Sequence, residues 1–227
     1  MRLPSFKRPL HSLKDFFWEY LLIVLGVVTA LVANAWITRI QHDQAAAAAS
    51  AQMDRELQAS LDSVHSSLQK NRANANNLDR LGKLIADDLR QGMPAKIINE
   101  QIRAHRDEFQ AGFYFPDTST SAWDVAVANQ SVSWIAPDRL QRYSKAYDDL
   151  RALSAWGQNG EYVSMDLPQI SNFRIDLAQG RDVDPLAFLH TVEQVRLALG
   201  TSDGNIASIE GDLVTALRKD STAAQRH

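Results

Sequence analysis

Apolar residues run without a charge from Tyr20 to Thr38, and beyond that they recur three or four positions apart, so a uniformly apolar helix gives way to one-sided ones. At about 1.5 Å per residue the uncharged stretch spans roughly 28 Å, close to the hydrocarbon thickness of a bilayer. Between Leu21 and Ile37 its only polar side chains are Thr29 and Asn34, too few for the solvated face of a soluble helix. No Gly or Pro follows until Gly82, and Ala45–Ala49 is an alanine run, so one helix is expected from about Asp15 to about Leu89. Leu57, Leu61, Val64, Leu68, Ala75, Leu78, Ile85 and Leu89 form its stripe. The polar patch Asn71–Asn77 weakens that stripe and is the place to expect a bend or break.

Gly92 and Pro94 punctuate the chain and open a second helix, about Pro94 to Gln110, with Ile97, Ile98, Ile102 and Phe109 inward. Ser121 with Asp124 reads as a capping box for a short helix to Ala128, followed by a turn at Asn129-Gln130-Ser131. Ser131–Ile135 is the one short candidate strand. Pro137 opens a helix to Trp156 carrying Leu140, Tyr143, Tyr147, Leu150 and Leu153, with Gly157 and Gly160 ending it. Further helices are expected at Leu167–Ala178, from Asp184-Pro185 to Leu199 with Gly200 as the stop, and from Ser202 to Lys219 on Ile206, Ile209, Leu213 and Leu217. The chain therefore reads as all-α: a cytoplasmic basic tail (1–19), a transmembrane helix (20–38), a long helical stalk or first bundle helix (39–91), an extracytoplasmic helical bundle (92–220) and a polar tail (221–227).

Trp18 and Tyr20 at one end of the apolar stretch and Trp36 at the other stand where amphipathic rings favour the membrane interface. Ala33-Asn34-Ala35 matches an A-x-A cleavage signal, but the apolar run exceeds the usual signal core, and Asp15 and Glu19 put acid where a signal peptide carries positive charge. A retained anchor is the favoured reading. Arg2, Lys7, Arg8 and Lys14 precede it, which points to a cytoplasmic N-terminus and, in a Gram-negative host, a periplasmic C-terminal part. Four of the 24 basic and two of the 27 acidic residues lie before Tyr20, leaving 20 against 25 beyond it, a balance that speaks against nucleic acid as partner.

Within the span, Glu19, Gly26, Ala30, Asn34 and Trp36 follow the spacing E-x6-G-x3-A-x3-N-x-W. This resembles the N-terminal anchor of a family of uncharacterised bacterial single-pass membrane proteins, and Ser121–Leu150 is more weakly similar to that family's tryptophan-acid, turn and tyrosine-helix pattern. The resemblance implies an architecture and no activity. Gly26, Ala30, Ala33 and Asn34 share a small-residue face on which helices approach closely, implying a homo-oligomer or a partner in a membrane complex; the plain alternative is that such residues are simply common in membrane helices.

The candidate chemistry is thin. There are no cysteines, and the six histidines show no metal-ligand spacing. Glycine-rich phosphate loops and nucleophile elbows are missing, so no cofactor is implied and the chain is not expected to be an enzyme. Trp123, Trp134, Tyr143, Tyr147 and Trp156 are either core or the lining of a small-ligand pocket. The leading expectation is a single-pass scaffold or accessory subunit; a membrane-anchored ligand sensor is the alternative, and a tethered hydrolase the least favoured.

Overall fold

The computed structural model describes residues 13–159 and 167–218. They form six α-helices: α1 Leu13–Arg90, α2 Ala95–Ala104, α3 Ser121–Ala128, α4 Pro137–Asn159, α5 Leu167–Ala178 and α6 Pro185–Leu217. Two 3₁₀ turns, Arg106–Glu108 and Ser131–Trp134, complete the structure, and no strand occurs among the described residues. The expected tail 221–227, the first basic residues and Gly160 lie outside them.

α1 is 78 residues long and has two regimes. Every described side chain from Phe16 to Ile37 is exposed, including Leu22, Ile23, Leu25, Leu31 and Val32. From Ala46 onward one face is buried, and its positions alternate in steps of four and three: Ala46, Ser50, Met53, Leu57, Ser60, Val64, Ser67, Asn71, Leu78, Leu81, Ile85 and Asp88, with half-buried Asn74 filling the remaining step. That is a seven-residue repeat, the spacing that keeps one seam turned toward a partner helix. α6 supplies the same spacing with Phe188, Val192, Val195, Leu199, Ile206, Leu213 and Ala216.

Contacts between the two helices fix their direction. His65 meets Glu210 at 2.6 Å, Arg72 meets Asp203 at 3.8 Å, and Asp79 lies within the field of Arg196. Each step of seven residues up α1 is matched by seven down α6, so the pair is antiparallel and in strict register. The stretch of α1 read as stalk or first bundle helix thus forms a wall of the bundle from Ala46 to Asp88.

The core is divided in two. One cluster joins Met53, Leu57, Leu61, Val64 and Leu68 to Tyr143, Tyr147, Leu150, Ile206 and Leu213. The other joins Leu78, Leu81 and Ile85 to Ile98, Ile102, Phe109, Phe173, Phe188 and Val192. Phe113, in the segment that follows α2, packs against both. Between them the α1 seam is polar, at Ser67, Asn71 and Asn74.

Several local expectations need correction. The helix does not break at Asn71–Asn77; instead those asparagines bind the passing chain. α2 stops at Ala104, and a 3₁₀ turn then swings Phe109 onto Phe188, centroids 4.8 Å apart. Ile97 is 37% exposed, whereas Ile98 and Ile102 are buried as expected. Ser131–Trp134 is a 3₁₀ turn and not a strand, because Gln130 adopts φ 62° and reverses the chain with no strand edge at hand. Gly157 lies within α4, and Gly200 and Gly204 lie within α6, so the two helices expected at the C-terminal end are one of 33 residues. The continuous seam against α1 outweighs the poor helix propensity of glycine.

Candidate functional site

Two features rise above ordinary packing: the exposed apolar helix and the polar seats along the packed part of α1. The first is a single helix long and apolar enough to cross a membrane, with none of its most apolar window buried. Gly26, Ala30, Ala33 and Asn34 are all exposed on it, and a Cβ added at Gly26 would meet nothing within 4 Å. At 100° per residue the four positions fall within roughly a third of the circumference. Thr29 and Thr38 turn their hydroxyls back to the carbonyls of Leu25 and Asn34, both at 2.8 Å, so these polar groups are satisfied within the helix. Trp18, Tyr20 and Trp36 are exposed at the two ends of the stretch.

Three polar seats lie higher on α1. Asp54 accepts from the Tyr143 hydroxyl at 2.5 Å through one oxygen and from Arg139 at 2.7 Å through the other. The Arg139 guanidinium also lies over the Tyr143 ring at 5.3 Å. Burial and the adjoining carboxylate push the Tyr143 phenol far above its ordinary range, so it is a permanent donor. Glu56 performs the cap expected of Ser121: both of its oxygens accept from Ala122 N at 3.1 Å, and one also accepts from Ser119 Oγ at 2.7 Å. Ser121 is the first helical residue, while Thr120 precedes it and donates to Asp124 at 3.0 Å. Tyr147, beside Glu56 and fully buried, is likewise driven up by desolvation and by that carboxylate.

The third seat is Asn71, which is fully buried. Its amide donates to Tyr114 O at 3.1 Å and accepts from Tyr114 N at 2.9 Å, pairing as a backbone unit would. Asn74 donates to Gly112 O at 3.0 Å. Asp203 of α6 faces the same waist; burial raises its carboxyl above the ordinary value, with Arg72 and Asn71 pulling the other way. Asn71 was missed in the sequence because an amide at a seam position reads as an interruption, and Asp54 and Glu56 flank the seam, where acids read as solvent-facing. The signal that finds Asn71 is the seven-residue step itself, which passes through Ser60, Ser67, Asn71 and Asn74 but not through Asp54 or Glu56.

Four of the five aromatic candidates gather in or against one core cluster, and Trp134 does not. Tyr143 and Tyr147 are core. Trp123 lies against Tyr147 at 5.4 Å, Trp156 packs on Phe113 and Phe115 at 5.9 and 5.1 Å, and Trp134 stands apart, stacked on His42 at 3.6 Å. Trp123, Val132, Pro137, Leu140 and Lys145 edge an open groove of about 590 Å³ beside α4. Among the described residues no three His, Asp or Glu side chains gather to hold a metal ion. Searches of protein-family models, curated proteins and solved structures give no match to this chain.

Proposed function

We propose that this chain is a single-pass inner-membrane protein, N-terminus cytoplasmic and helical bundle periplasmic, that works as a homo-oligomeric scaffold or as an accessory subunit of a membrane complex. One observation carries this reading: a helix whose upper part is closely packed extends into more than twenty consecutive exposed residues, nearly all apolar. In water that surface would be strongly unfavourable, at about 25 cal/mol per Å² of apolar area left uncovered. Lipid and a second helix are the two environments that suit it. The small face Gly26, Ala30, Ala33 and Asn34 supports close helix approach within the bilayer, with Asn34 able to hydrogen-bond across the contact.

The test is assembly in lipid. Gly26→Ile together with Ala30→Ile should reduce the oligomer to monomer, or release a co-purifying partner, when the full chain is cross-linked in native membranes. An unchanged cross-linking pattern overturns the proposal. A second reading, a sensor for a small apolar ligand, is favoured only by the open groove at Trp123 and Leu140. The 20 basic and 25 acidic residues beyond Tyr20 make nucleic acid an unsuitable partner in either case.

A further inference from the structure

Trp134 is 49% exposed, yet it does not sit on a loose loop. Its 3₁₀ turn is held by Ser131, whose N–H donates to Asn129 Oδ1 at 3.0 Å and whose hydroxyl donates to Ala126 O at 3.3 Å. Buried Ile135 fastens the other side. The indole lies flat on His42, ring planes 9° apart, which ties this corner of the bundle to α1. His42 is four residues past Thr38, about 6 Å above the end of the uncharged stretch. The polar interface of a bilayer extends roughly 5–8 Å beyond its hydrocarbon on each side.

We propose that Trp134 is a membrane-interface anchor: it seats the lower corner of the bundle in the lipid headgroup layer of the same bilayer that holds α1. The inference rests on the membrane reading of α1 given above. The occupant follows from continuity, because the helix that places Trp134 is the helix that enters the lipid. An indole offers an apolar body and a polar N–H, the combination that partitions to that depth. Trp36 is six positions before His42, so it projects about 120° round the helix and meets the interface on a different side. Two indoles on different sides resist tilting as well as sliding. Exposed Arg39 near this corner is offset by exposed Asp43 and Asp138, so the attraction is aromatic and does not require anionic lipid.

The absence of cysteine allows single probes. Val32→Cys, Ser133→Cys and Ser208→Cys, each in the full chain and labelled with an environment-sensitive fluorophore, are reconstituted in zwitterionic phosphatidylcholine vesicles containing lipids spin-labelled at the headgroup or deep in the acyl chain. Headgroup label should quench the Ser133 probe at least about twofold more than the Ser208 probe, which lies near the level of His65, roughly 35 Å along α1 from His42, and Trp134→Ala should abolish that excess. Quenching of Val32 by the deep label with Ser133 no better quenched than Ser208 overturns the anchor while leaving the membrane reading intact. An unquenched Val32 probe removes the membrane reading and this inference with it.

Discussion

At the scale of single residues, the most consequential side chain is Asn71, an amide in the middle of an apolar seam. Its pairing with both backbone groups of Tyr114 pins the segment that carries Phe113 across the two core clusters. Asn71→Ala would leave the part-buried N–H and carbonyl of Tyr114 without their partner, and is expected to cost about 1–2 kcal/mol in a urea melt. A loss below about half a kcal/mol would mean that Phe113 and the Asn74 bond to Gly112 suffice to hold the segment. Asp203, on the facing helix, shows the opposite balance. Burial lifts its folded pKa above the unfolded value, so the folded state binds the proton more tightly. Its charge therefore opposes folding above the raised pKa, and the penalty fades as pH falls through it toward the unfolded value. Asp203→Asn should raise the Tm at pH 7 and show a smaller gain near pH 4. A gain that grows in acid would contradict this account.

At the scale of elements, α6 runs through Gly200, which a local reading takes as a stop, and on through Gly204. Gly200 and Gly204 are exposed, and a Cβ added to either meets nothing within 4 Å. Gly200→Ala and Gly204→Ala should each stabilise the chain by about 0.5–1 kcal/mol, measurable as a higher urea midpoint. Destabilisation by either would show that the helix flexes there. The same element shows why legibility was uneven. Long helices, their apolar faces and the all-α class follow from periodicity and from Pro and Gly punctuation, as at Pro137, Pro185 and Leu167–Ala178. Where the helices stop, and which polar residues are inside, depends on partners distant in sequence. Glu56 caps a helix that begins 65 residues later, at Ser121, and nothing local to either residue announces the pairing. Within the aromatic set the same holds, since Trp156 packs against the core cluster of Tyr143 and Tyr147 while Trp134, close to it in sequence, stacks on His42 outside that cluster.

For the whole molecule, the unbroken α1 sets the geometry. At 78 residues it is about 117 Å long, and the rest of the chain is assembled along its upper part. A helix is also a screw. If α1 spans a bilayer as proposed, each residue by which it is gripped higher or lower moves the bundle about 1.5 Å along the normal and turns it about 100° relative to a neighbour packed on its apolar stretch. On that reading, insertion depth and compass bearing are one variable. A thicker or thinner membrane would change which side of the bundle a fixed companion meets.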